Sequence, residues 1–207
     1  MHTFLRPALL LAAGTLALAS CKKDDDNTQA PAVQAQTVSS LSAASTPSTS
    51  GPPTPAKHYT FFSLADGKQV AFTDSNSTKW DVAFRATTIL INGGSSGPGQ
   101  GGAQVLSSLF ADMTTAPTSG YAVDAAGAPA IPTSASSPSR WYAYNSSTNV
   151  VTPVAGRILA IRTATGKYAK IEILSYYKDA PAAPTSANAA GYYTFRYVYQ
   201  PSGTSLK

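Results

Sequence analysis

The sequence holds one cysteine, Cys21, and two histidines, His2 and His58, in 207 residues. From residue 58 onward there is no cysteine, so no disulfide supports that part of the chain. Beyond residue 20 the only histidine is His58, which leaves no Ser-His-Asp or Cys-His constellation and no His, Cys and carboxylate cluster at the spacing a metal requires. The seven carboxylates from residue 58 to the end are spread singly. A glycosidase-like couple would need two of them, such as Asp81 and Asp112, to meet in space. Gly-Lys-Ser/Thr is absent, which excludes a Walker loop. Amphipathic helix is missing as well: the best short candidate, Ala103 to Phe110, fits a strand almost equally well.

Residues 1–20 read as a signal peptide. Arg6 supplies a positive n-region, Ala8 to Ala19 form an apolar run too short to span a bilayer comfortably, and Leu18-Ala19-Ser20 precede Cys21 with small residues suited to cleavage. The Leu-Ala-Ser-Cys run resembles a bacterial lipobox and implies lipidation of Cys21; an ordinary secretory signal with an incidental cysteine is the other reading. Residues 21–57 begin Cys21-Lys22-Lys23-Asp24-Asp25-Asp26 and continue rich in Ala, Ser, Thr and Pro. Such a composition predicts a disordered tether, because it buries too little apolar surface to offset its ordering entropy. The charged patch beside Cys21 resembles the export signal of Bacteroidota surface lipoproteins. It implies the outer membrane, with the cell surface as the expected face and the periplasm as the alternative.

Residues 58–207 then form one domain, large enough for a real core. Its charge is uneven, with three basic and five acidic residues over 58–139 against eight and two over 140–207. A basic half favours an anionic ligand or surface, or is simply a set of solvated strand faces. Val, Ile, Thr, Tyr and Phe dominate short runs between turn signals, which predicts an all-β domain. Asp66-Gly67 and Thr165-Gly166 mark hairpins. Tyr192 to Gln200 reads as the last strand, with Tyr193, Phe195, Tyr197 and Tyr199 on one face. Trp80 to Ala86 alternates Trp80, Val82 and Phe84 against Asp81, Ala83 and Arg85, and the β-branched run Thr88 to Ile91 predicts that this strand continues to Asn92-Gly93-Gly94. Residues 125–140 and 181–190 read as long loops able to line a site. Nucleic-acid binding is not expected, since aromatics interleaved with few basic residues on strands are explained as core and sheet surface.

Gly97, Gly99 and Gly102 fit G-x-G-x-x-G, with Asp124 downstream where a ribose-binding acid would lie. No helix opens at the last glycine, and Pro98 removes a backbone donor, so the pattern reads as a loop of a β-protein.

Five pieces in order carry a more specific likeness: Trp80-Asp81-Val82-Ala83, the Asn92-Gly93-Gly94 to Gly101-Gly102-Ala103 loop, Pro117 to Asp124 (PTSGYAVD), Gly156-Arg157 leading into Thr163 to Lys170 (TATGKYAK), and Tyr193-Thr194-Phe195-Arg196-Tyr197. Together they resemble the HmuY family, haem-binding surface lipoproteins of Bacteroidota. The resemblance implies a single antiparallel β-rich domain with long loops after the tether. It also implies haem or another porphyrin held between strand-borne fingers without catalysis, a role in iron acquisition, and transfer to an outer-membrane TonB-dependent receptor. The best-known members use two histidines between the Val-Asp motif and the Gly-Arg strand. This chain has neither histidine nor methionine from Ala125 to Gly156, and presents Trp141-Tyr142-Ala143-Tyr144 where the second ligand is expected. The residues left to hold haem are Trp141, Tyr142 and Tyr144 as a wall or phenolate ligand, Arg140 and Arg157 as cations beside a phenol or a propionate, and Met113 as a soft ligand. Packing roles for the two tyrosines and Met113 are the competing reading, and a scaffold that has lost haem and binds another apolar ligand or a partner protein is the competing function.

Overall fold

Asp66-Gly67 closes the first hairpin of the main domain. Its strands are β2 (Thr60–Ser63) and β3 (Lys68–Val70), following β1 (Gln36–Ser42), and Gly67 has the positive φ of +65° that such a tight turn requires. The computed structural model describes residues 1–2, 33–43 and 57–207. The signal peptide and Cys21 therefore lie outside the described residues, and the strands all belong to the unit Ala32–Lys207. Among the described residues no helix is long and apolar enough to cross a membrane.

The run after Trp80 is two strands rather than one. Strand β4 (Val82–Arg85) stops at Ala86, whose φ is +47°, and β5 (Thr88–Ile91) returns antiparallel with Val82 opposite Ile91. Alternation and β-branching are the same before and after a tight turn, so periodicity alone does not reveal the reversal. The remaining strands are β6 (Gly102–Ser107), β7 (Tyr142–Asn145), β8 (Val150–Pro153), β9 (Arg157–Arg162), β10 (Tyr168–Tyr177) and β11 (Ala190–Gln200). They form antiparallel sheets in the orders β1-β11-β10-β9-β6 and β3-β2-β4-β5, with β7-β8 as a separate hairpin. The domain is all-β and antiparallel, as expected.

Alternation then builds three cores. Leu159, Ile161, Ile171, Tyr193, Phe195 and Tyr197 from the five-stranded sheet pack on Phe62, Val82, Phe84, Ile89 and Ile91 from the four-stranded sheet, with Phe84 and Phe195 stacked at 5.5 Å. The opposite residues of the same strands, Ile158, Ala160 and Val198, are covered by Phe110, Met113, Ala116 and Leu206. Lys170, also buried, donates from Nζ to the carbonyls of Phe110 (2.7 Å) and Met113 (2.9 Å), fixing that cover to the sheet. Phe61, Trp80 and Ala83 form the third cluster.

Strand β1 corrects the tether. Residues 36–42, assigned by composition to a disordered segment, pair with β11 from Gln36 opposite Tyr197 to Ser42 opposite Tyr192. The paired edge supplies partners for the backbone, and Val38 and Leu41 pack against the main core, so few apolar side chains suffice.

The aromatic core gives the domain an alkaline limit. Burial pushes the Tyr176 phenol up to about 12, burial likewise raises the Tyr121 phenol to about 12, and Tyr193, buried and donating to the Ala86 carbonyl, is raised well above the ordinary value of 10. A phenol whose folded pKa is raised contributes stability that is present below pH 10 and lost as pH climbs toward the folded value. The melting temperature is thus expected to fall steadily between pH 10 and 12. Ultraviolet phenolate titration should show these tyrosines ionising only as the fold is lost; full ionisation near pH 10 with no fall in melting temperature would contradict this.

Candidate functional site

The residues of the sequence motifs are occupied inside the fold. Asp81 is buried, with one carboxylate oxygen accepting from the Leu64 N–H (2.8 Å) and the other from the Ala164 N–H (3.0 Å). Burial raises its pKa, and the two N–H groups only partly offset that. Asp124, also buried, accepts from Ile91 N–H (2.9 Å) and Ala130 N–H (2.7 Å), so it holds the start of the 125–140 loop rather than a ribose. Asn92 is fully buried and donates from Nδ2 to the carbonyls of Ser77 and Trp80 while accepting from the Gly99 N–H. The glycine loop winds tightly around it. A Cβ on Gly97 would lie 2.2 Å from Asn92 Oδ1, and one on Gly101 would lie 2.4 Å from the Asn92 carbonyl. These glycines serve close packing, which leaves no cradle for a phosphate.

The residues expected to hold haem do not converge. Trp141 is 1% exposed, lies 5.5 Å from the Tyr193 ring and donates from Nε1 to the Thr87 carbonyl, so its indole is core and not a wall. Tyr142 is buried, with its hydroxyl 3.3 Å from both Thr133 O and Thr87 Oγ1. Arg140 stacks over the Tyr142 ring at 4.6 Å and donates from Nε to the Tyr142 carbonyl, so it reaches the ring and backbone rather than the phenol oxygen. Arg157 donates to Ser107 Oγ and the Pro138 carbonyl. Met113 sits in the second core, behind the five-stranded sheet. Tyr144 alone presents its donor to solvent: it is 50% exposed, and its hydroxyl donates to Asn149 Oδ1 at 2.7 Å.

A cleft of about 510 Å³ opens beside this hairpin, lined by Asn145, Ser147 to Val150 and Thr152 on one side and Pro184, Thr185 and Ser186 on the other. Of the two long loops flagged by composition, 181–190 lines the cleft. The 125–140 loop instead inserts Ile131, fully buried, into the main core. The other wall, the β7-β8 turn, carries no sequence signal beyond a polar run between two strand-like segments.

The profile described as HmuY protein matches residues 55–158, half of the chain. The chain belongs to the HmuY family. Similar solved structures include an HmuY-like haem-binding protein from Bacteroides vulgatus, 17% identical over 80% of this chain and 90% of that one, with a TM-score of 0.46. Another is a lipoprotein from Bacteroides fragilis, 18% identical over 84% and 93%, with a TM-score of 0.48. A third is the apo HmuY analogue of Tannerella forsythia, 13% identical over 82% and 96%, with a TM-score of 0.46. No curated protein matches the chain. For this HmuY-family domain the donor set can be tested against haem directly. Iron needs a nitrogen, sulfur or phenol oxygen, and propionates favour cations. The cleft lining offers neither. The exposed phenol of Tyr144 offers one oxygen, so the residues fit attachment by a single protein ligand and not a grip between two.

Proposed function

We propose that this HmuY-family protein is a lipid-anchored, non-catalytic binding protein that takes haem or a related porphyrin on the Tyr144 side of the β7-β8 hairpin, with the Tyr144 oxygen as its one ligand to iron. The exposure of Tyr144 supports this reading: its hydroxyl bonds only to Asn149 at the exposed turn and can exchange that partner for a ligand, whereas Trp141, Tyr142 and Met113 are buried. Family membership supports porphyrin as the ligand class, and the absence of any histidine beyond residue 20 except the exposed His58 argues against ligation by two histidines. Attachment through Cys21 to the outer membrane, on the cell-surface side, and delivery to a TonB-dependent receptor complete the proposal; both rest on the sequence pattern around Cys21 and on the family.

Titration of the purified protein with ferric haem tests it. A saturable Soret shift is expected, weakened at least about tenfold and displaced by Tyr144→Phe, because iron loses its only protein ligand. Tyr142→Phe should leave the band in place. Absence of a saturable shift, in oxidising and reducing conditions alike, would overturn the porphyrin reading. It would favour the second one, a retained scaffold that binds another ligand or a partner, for which the burial of Trp141, Tyr142 and Met113 already speaks.

A further inference from the structure

The cleft has a single chemistry, and it is not that of a porphyrin. Its lining combines Asn145, Ser147, Thr148, Asn149, Thr152, Thr185 and Ser186 with only Val150 and Pro184 as apolar members and no charged side chain. Small-molecule sites of roughly 300–1,000 Å³ are lined mainly by hydrophobic residues with a few polar groups; here seven of the nine lining residues carry a hydroxyl or amide, while their carbon atoms with Val150 and Pro184 keep the wall close to evenly polar and apolar, which suits an uncharged ligand with hydroxyls on a carbon frame.

Both walls are turns closed by their own side chains. Asn145 Oδ1 accepts from the Ser147 and Thr148 N–H groups, and Asn149 holds a left-handed φ of +54° with its Oδ1 taken by Tyr144. Opposite, Asn188 Oδ1 accepts from the Thr185 N–H and hydroxyl, and Thr185 Oγ1 accepts from the Ala187 N–H. The loop carrying Thr185 leaves β10 through Asp179 and Ala180, at φ +59° and +45°. Two successive non-glycine residues with positive φ are uncommon, and such backbone persists where the surrounding structure over-determines it. With the turns closed internally, the hydroxyls of Ser147, Thr148, Thr152 and Ser186 and the amide nitrogens of Asn145 and Asn149 have no hydrogen-bond partner among the described residues. Alternation along the hairpin places the strand members of this set on the face away from the proposed porphyrin side, with Asn149 at the turn bonded to Tyr144 between the two. Tyr144 is paired with Val151, while Asn145, Val150 and Thr152 point from the opposite face.

We infer that the cleft between the β7-β8 turn and residues 184–186 is a second binding site, for a neutral polyhydroxylated ligand of the saccharide class. Alternating donors and acceptors of hydroxyl and amide type match vicinal sugar hydroxyls, and the lack of charge in the lining disfavours anionic competitors.

The full-length protein is titrated with maltoheptaose, cellohexaose, mannohexaose and chitohexaose, followed by amide chemical-shift mapping. At least one neutral oligosaccharide is expected to bind saturably, with shifts centred on residues 145–152 and 184–186. Thr152→Val and Ser186→Ala, one from each wall and both exposed, should each weaken binding about fivefold, the loss expected for one neutral hydrogen bond, and leave haem titration unchanged. The inference is overturned if none of the four binds, if the shifts fall elsewhere, or if both variants bind as the parent does.

Discussion

Asp81→Ala is expected to lower the stability of the domain by about 2–6 kcal/mol, the sum of two buried N–H groups left without acceptors at about 1–3 kcal/mol each. The carboxylate ties the β2 end at Leu64 to the β9-β10 turn at Ala164, and so helps join the four-stranded sheet to the five-stranded one. Asp81→Asn should cost less, about 2–3 kcal/mol, since one of the two N–H groups would then face an amide NH₂ instead of an acceptor. The pH dependence carries a distinct sign. Burial raises the Asp81 pKa above 3.8, so its titration contributes stability that is present below pH 3.8 and lost as pH rises through the folded value. Urea unfolding of parent and Asp81→Asn at pH 3.5 and pH 7 measures both effects. The penalty of the neutral amide should be the larger at the lower pH, and equal penalties at the two values would contradict the assignment.

Asn92→Ala should cost about 3–4 kcal/mol. It leaves the carbonyls of Ser77 and Trp80 and the N–H of Gly99 without their partner, a side chain that is itself fully buried. It also removes the body around which residues 97–101 pack. Hydrogen exchange at Gly99 and Gly101 should accelerate more than exchange in β9 and β10, because the loop loses its centre while the sheet keeps its ladder. Asn92→Asp at neutral pH is expected to be worse than alanine, as a buried carboxylate would face two carbonyl oxygens. Exchange that rises uniformly across the domain would mean that the loop and the sheets unfold as one.

Trp80 to Gly102 shows how far the sequence could be read. Its strand character and its exit at Asn92-Gly93-Gly94 were legible, because β-branching and positive-φ residues act locally. The turn at Ala86 was not, since alanine gives no sign of a left-handed φ. Nor was the reason for the glycines: Gly97, Gly99 and Gly101 are dictated by Asn92 and Ala164, and the latter is brought near only by the tertiary fold. Strand β1 escaped for a similar reason, as its pairing depends on an edge of β11 about 155 residues later. At the candidate site, composition picked out the 181–190 loop, and Pro184 to Ser186 line the cleft. It also pointed to Trp141 and Tyr142, whose aromatic character suits a ligand wall and a core equally well. Burial decides between those uses, and burial is not written in a short aromatic run.

The pairing of β1 also bears on how far from a membrane the domain can work. A lipid on Cys21 with a free segment to residue 57 would give a leash of 36 residue steps, up to about 120 Å fully extended. With the chain fixed from Val33 onward, only twelve steps separate Cys21 from folded structure, about 40 Å at most. Were Cys21 lipidated as proposed, the domain would meet what lies close to the bilayer that holds it and would search little of the medium beyond.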